Sequence, residues 1–237
     1  MPCGAGRPAR RPAPTMAQMT TVRKLASMTQ RVVDESCAEF AERLAAKLPV
    51  PGGGSVAAYA GALSSALCSM TAVFTVGKPR YAESERDLER ILGEAERVRL
   101  RLLELVDEDA RALEPLTRAY ALPRTDPERA ERLERATKDA CAAPMEVMEL
   151  VARTVDLVDE AQRKCSRLLV SDAGVAALLA RAALEAASLN VFVNTAGLAD
   201  RSWAKAAEAR ADELLATYVP MAEAVEARVV RRVRGEE

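Results

Sequence analysis

The chain of 237 residues contains no histidine. This absence removes every Ser-His-Asp and Cys-His nucleophile system, the HExxH zinc site and the two-His-one-carboxylate iron site. Acid–base chemistry must use Asp, Glu, Lys, Tyr, Cys or water. Aromatic residues are scarce, with three Phe, one Trp and four Tyr, which leaves few platforms on which bases could stack. Excess charge is missing too: 34 Lys and Arg face 35 Asp and Glu, so nothing draws the chain to nucleic acid. The five cysteines, Cys3, Cys37, Cys68, Cys141 and Cys165, form no CxxC pair and are odd in number. A disulfide frame and a zinc site are thereby excluded, no metal is expected, and the thiols read as reduced in a cytoplasmic protein. GxxxxGK[ST] is absent, and GGGSVA lacks the third glycine of GxGxxG, so neither nucleotide fingerprint is met.

The first 27 residues differ from the rest. Arg7, Arg10, Arg11, Arg23 and Lys24 stand there without an acidic residue, among four prolines. Taking those five away leaves 29 basic against 35 acidic residues, so the body carries about −6. Arg10 and Arg11 are not followed by the apolar stretch of a twin-arginine signal. The segment reads as a disordered basic tail or as the product of an early start codon, ahead of a transit peptide. Residues 28–237 form the folded domain, and deletion of residues 1–27 is expected to leave it intact.

From Met28 onward Ala, Leu, Glu and Arg dominate and alternating β-branched runs are missing. The pattern predicts helices at 30–47, 55–77, 84–120, 127–143, 144–163, 172–196 and 201–232. Proline and glycine punctuate the joints, Pro144 suits a first turn, and Pro115 predicts a kink. The expected fold is all-α: a single-domain bundle of six or seven helices. Between Lys47 and Lys78 thirty residues carry no charge. The length suggests a membrane span, but Ser64, Ser65, Ser69, Thr71 and Thr75 dilute it and Gly and Pro crowd its first third. Ala57, Gly61, Ser65 and Ser69 recur every four residues, a strip that lets another helix approach closely. The segment therefore reads as a buried central helix, packed within the bundle or at the interface of a dimer, and not as a membrane anchor.

Several polar groups face inward by helical phase. On 84–120 the apolar stripe is Leu88, Ile91, Ala95, Val98, Leu102, Leu105, Val106 and Leu113. Asp109 lies within it, whereas Asp107 points about 140° away at 100° per residue. A buried carboxylate is costly unless paired, so Asp109 is either half of a structural ion pair or a functional group. On 172–196, Asn190 and Asn194 share one side, opposite Arg181 and Glu185; two amides one turn apart bind a polar ligand or cross-link helices. Ser171 and Asp172 resemble a cap. Gly52, Gly53 and Gly54 permit φ > 0 and let backbone N–H groups approach a ligand at a helix start, or simply form a turn before a Ser55 cap. Lys78, Arg80 and Tyr81 close the uncharged segment, where cations suit a helix C-terminus.

LPVPGGGSVAAYAGAL at 48–63, VGKPRY at 76–81, VDEDARAL at 106–113, LPRT at 122–125, SDAGVAA at 171–177 and LNVFVN at 189–194 together resemble the formimino-tetrahydrofolate cyclodeaminases and methenyl-tetrahydrofolate cyclohydrolases. The resemblance spans essentially 28–237. It implies an all-helical homodimer that acts on a one-carbon unit bridging N5 and N10 of tetrahydrofolate, with a folate pocket near the subunit interface. The folate is then substrate and no cofactor is permanently bound. The implied catalytic set is Asp109, Asp172 and Lys78. Gly52, Gly53, Gly54, Ser55, Tyr81, Asn190 and Asn194 are the implied substrate-binding residues. A chain standing without a formiminotransferase domain favours the cyclohydrolase, which opens methenyl-tetrahydrofolate to 10-formyl-tetrahydrofolate. The cyclodeaminase, fed by a separate formiminotransferase, is the alternative. A catalytically silent helical interaction protein is the rival from another class.

Overall fold

Alanine-rich and leucine-rich stripes at helical spacing become seven α-helices in the computed structural model, which describes residues 31–236. The helices are α1 (Cys37–Ala45), α2 (Gly53–Val73), α3 (Glu85–Ala121), α4 (Arg129–Ala140), α5 (Ala142–Lys164), α6 (Val170–Thr195) and α7 (Arg201–Arg234). Short 3₁₀ turns at Val32–Asp34, Pro79–Ser84 and Arg167–Leu169 lead into α1, α3 and α6. No strand occurs among the described residues. The basic tail 1–27 lies outside them. Pro144 falls in the first turn of α5 as predicted, and α3 continues as one helix through Pro115.

The uncharged helix is central, because small residues let its neighbours close in. Ala57, Gly61 and Ser65 are buried. A Cβ on Gly61 would lie 2.7 Å from Val151 Cγ2 and 3.3 Å from Leu102 Cδ1, and Ser65 Oγ donates to the Ala95 carbonyl at 2.7 Å. The strip thus packs against α3 and α5 of its own chain. Gly61→Leu is expected to destabilise the fold by about 1–3 kcal/mol through overpacking, visible as a lower denaturant midpoint with unchanged slope.

α2 lies antiparallel to α6. Gly53 is beside Asn190, Ser64 Oγ donates to the Ala176 carbonyl at 2.7 Å, and Thr75 Oγ1 accepts from the Ser166 N–H at 3.0 Å. α5 backs this pair, with α3 packing on α2 and α7 on α6. The outward side stays open. Val56, Ala60, Leu63, Leu67, Met70 and Phe74 form a half-buried to exposed row on α2, and Val175, Leu178, Ala182, Leu189 and Val193 form an exposed row on α6. Both helices are long and apolar enough to cross a membrane, and each is about half buried in the bundle, 50% for Gly53–Val73 and 44% for Arg167–Thr195.

Candidate functional site

The glycine-rich turn differs from its sequence expectation in a way that defines the site. α2 starts at Gly53 with Gly52 as N-cap, two residues earlier than predicted, and Ser55 does not cap it. None of Gly52, Gly53 and Gly54 has a positive φ. Their use is close approach: a Cβ on Gly54 would lie 2.1 Å from Asp109 Oδ1. Asp109 reaches from α3 onto the first turn of α2. There the Ser55 hydroxyl donates to its Oδ2 at 2.9 Å and also lies 3.2 Å from the Val106 carbonyl. The Ser55 backbone N–H donates to the same carboxylate. No ion pair joins Asp109 to a cation among the described residues. A carboxylate at a helix N-terminus is favoured by unsatisfied N–H groups and the helix dipole. Burial nonetheless dominates and raises the Asp109 pKa above the ordinary range, with the two Ser55 bonds pulling it partly back.

Asn190 is half-buried and comes to 3.7 Å of the Cβ position of Gly53, its Nδ2 donating to the Ala186 carbonyl at 2.9 Å in its own helix. Asn194, one turn on, donates to the Ala140 carbonyl at 3.2 Å and bonds Cys141. The two amides have different work: Asn194 cross-links α6 to the α4–α5 joint, while Asn190 faces the glycine turn. Cys141 is not a reactive thiolate, because burial pushes its pKa up to about 11, and Cys68 is pushed up to about 12.

The remaining predicted residues lie elsewhere in the chain. Lys78 is exposed and leads the Pro79–Ser84 turn, with Tyr81 beneath the Arg80 guanidinium at 6.0 Å. Asp172 is half-buried in the first turn of α6, whose N-cap is Leu169, so neither Ser171 nor Asp172 is the cap. These three belong to the far end of the α2–α6 pair. The 21 residues of α2 span about 32 Å at 1.5 Å per residue, and that length separates Lys78 and Tyr81 from Asp109 within one chain, while Asp172 lies about 27 Å along α6 from Asn190. Gly52–Ser55, Asp109 and Asn190 are brought together; Lys78, Tyr81 and Asp172 are not brought to them.

Asp107 is corrected by the structure. The helix phase placed it outward, but it is buried, at 8% exposure. The chain before α1 folds back over that side of α3. The Val32 N–H donates to Asp107 Oδ1 at 2.7 Å and Arg31 Nε to Oδ2 at 2.9 Å. Asp107 therefore anchors residues 31–34 and does not face solvent. Sequence reasoning also passed over an open cavity of about 550 Å³ between α4, α5 and α7, lined on one side by Trp203. Its one legible signal was that Trp203 is the sole tryptophan. Among the described residues no group of Cys, Asp and Glu is gathered to hold a metal ion.

A helical bundle whose central helix begins at a half-buried carboxylate, with an amide alongside, is a scaffold for recognising a polar or cationic small molecule. Comparison with known proteins narrows the class. The family model for formiminotransferase-cyclodeaminase matches residues 36–213, and the chain belongs to that family. It is 39% identical over 176 residues to a methenyltetrahydrofolate cyclohydrolase of Methylorubrum extorquens, covering 73% of this chain and 85% of that protein. It is 30% identical over 190 residues to the formimidoyltransferase-cyclodeaminase of Rattus norvegicus, of which it spans 35%. The crystal structure of a formiminotetrahydrofolate cyclodeaminase from Thermotoga maritima superposes with a TM-score of 0.75 at 29% identity, covering 85% of this chain and 96% of that one.

Proposed function

We propose that the protein hydrolyses 5,10-methenyl-tetrahydrofolate to 10-formyl-tetrahydrofolate. The observation that carries this is the similarity to the Methylorubrum cyclohydrolase along most of both chains. The Asp109 seat supplies the chemistry. The substrate carries a cationic N5–C–N10 amidinium, and Asp109 is a half-buried carboxylate with no cation paired to it among the described residues. Water adds to the bridging carbon and gives one proton to Asp109, leaving a neutral tetrahedral carbon bearing a hydroxyl. Asp109 returns that proton to N5 as the C–N5 bond breaks, and the hydroxyl proton leaves to solvent, giving the N10-formyl group. The carboxylate pairs with the cationic substrate on binding, and its gain in the transition state is the proton it takes from the attacking water. Asn190 and the first-turn N–H groups of α2 would orient the ring.

The test is direct: loss of the methenyl absorbance should accelerate with enzyme, with no added metal or nucleotide. The likeness to the Thermotoga cyclodeaminase, almost all of whose chain is matched, favours a second reading, in which N10 attacks a 5-formimino carbon and ammonia departs. Ammonia release from 5-formimino-tetrahydrofolate, with the methenyl compound untouched, would establish it and sink the first. Absence of turnover on both, with no binding of 5-formyl-tetrahydrofolate, would leave the silent helical protein.

We further infer a homodimer through the open α2–α6 face. Two rows of apolar side chains on adjacent helices, broken on α6 only by Arg181 and Glu185, form a contiguous exposed apolar patch, and an isologous pairing would cover both copies at once. In an antiparallel stack the Lys78 and Tyr81 end of one protomer meets the Asp109 end of its partner, which reunites the residue set that one chain keeps apart. Sedimentation as a dimer at micromolar concentration is expected. Mixing inactive Lys78→Ala and Asp109→Asn proteins should restore part of the activity, since mixed dimers carry one intact site; no recovery after subunit exchange would refute the shared site.

A further inference from the structure

We propose that the cavity between α4, α5 and α7 receives the aminobenzoyl-glutamate arm of the folate while the pterin and its one-carbon unit sit at Asp109. The assignment rests on the folate reading above. It starts from continuity of the polar row on α6. Asn190 faces Gly53, next to the Asp109 seat. Asn194, one turn or about 5–6 Å further, bonds the Ala140 carbonyl, and the next residue, Cys141, is part of the cavity wall. The arm of a folate leaves from N10, an atom bonded to the reacting carbon. Its aryl ring must therefore lie beside the catalytic carboxylate and its glutamate beyond.

The chemistry of the cavity fits an aryl ring ending in carboxylates and not a pterin. Met145 and Ala206 supply apolar floor and Trp203 a flat aromatic wall, suited to stacking. A pterin needs a dense set of donors and acceptors, which that floor lacks. Two cations line it. Lys138 Nζ lies over the Trp203 ring, 5.6 Å from its centre, bonds Asp200 at 2.8 Å and pairs with Glu134 at 3.5 Å. Arg210 bonds Glu213 at 2.8 Å and reaches Glu149 only at 3.4 Å. An ammonium has three N–H donors and a guanidinium five, so both keep donors for a ligand carboxylate. The other lining carboxylate, Glu146, is bound by Arg101 at 2.6 and 2.8 Å. At about 550 Å³ the cavity is in the range of small-molecule sites.

The sole tryptophan makes the assignment measurable without catalysis. Titration with p-aminobenzoyl-glutamate should quench Trp203 fluorescence saturably in the wild type, and Ala206→Phe, at an exposed position where the new ring fills the cavity, should abolish the quench. Trp203→Ala and Ala206→Phe should each raise KM for methenyl-tetrahydrofolate by about tenfold or more with little loss of kcat. The penalty should disappear with a methenyl-tetrahydropterin lacking the arm. Unchanged KM in both folded variants, or no quench in the wild type, overturns the proposal. A wild type that quenches with the fragment but turns over no folate would instead sink the proposed reaction and leave the cavity as an aryl-carboxylate site.

Discussion

Asp109→Asn is expected to lower turnover by about 10²–10⁴-fold, the usual worth of one positioned acid–base group, while the protein stays folded. Asparagine keeps the shape and can still accept from Ser55 but carries neither the charge that faces the amidinium nor a site for the water proton. Stability should hold or rise. Burial raises the Asp109 pKa, so the folded state binds this proton more tightly than the unfolded state does. The favourable contribution of such a group is present at low pH and is lost as pH rises from the unfolded value through the folded one. At neutral pH the wild type therefore bears a cost that asparagine removes. The same shift predicts an acid limb of kcat/KM above the ordinary Asp range, and Ser55→Ala, which removes a bond to the charged form, should move that limb higher. Glu89→Gln, on the exposed side of α3, is the control. Unfolding of Asp109→Asn would mean that the carboxylate is structural.

Asp107 cannot serve as that control. Losing its charge weakens the Val32 and Arg31 bonds that hold the chain before α1, a loss of roughly 1–3 kcal/mol for a buried charged acceptor. Its error of placement is instructive. Helical phase tells which side of α3 faces α2 and α5, and there Leu88, Ile91, Leu102 and Leu105 are fully buried as predicted. Phase is silent about what covers the other side, because the covering segment 31–34 comes from 75 residues earlier.

The same limit divided the site. Helices α1–α7, the early Pro144 and the small-residue strip were legible because they follow from local periodicity and steric size. Asp109 was legible because a carboxylate on an apolar stripe is anomalous whatever surrounds it. The distance between Lys78 and Asp109 was not, since the α2 helix that carries GGGS at one end and leads to GKPRY at the other keeps those two motifs a full helix length apart. The antiparallel pairing of α2 with α6 shows which of these residues one chain can bring together. The cavity beside Trp203 escaped for a related reason: its walls come from three helices, none with an unusual pattern of its own.

Gly54→Ala should be nearly as damaging to turnover as Asp109→Asn while leaving the protein folded. A methyl group there meets Asp109 Oδ1 at 2.1 Å, Cγ at 2.6 Å and Oδ2 at 2.8 Å, so the carboxylate must leave its seat and its bonds to Ser55. A misplacement of about 1 Å is enough to cost roughly 10²-fold in rate. Against this, alanine is favoured over glycine in a helix by about 1 kcal/mol, and Gly54 is helical without a positive φ, so the backbone itself resists nothing. The expected result is a folded protein of near wild-type stability with turnover down by about two orders of magnitude. Gly53→Ala discriminates, since its methyl would meet only Asn190 at an ordinary 3.7 Å and should leave the Asp109 seat in place with a far smaller loss. If Gly54→Ala turns over like the wild type, Asp109 does not act from this position.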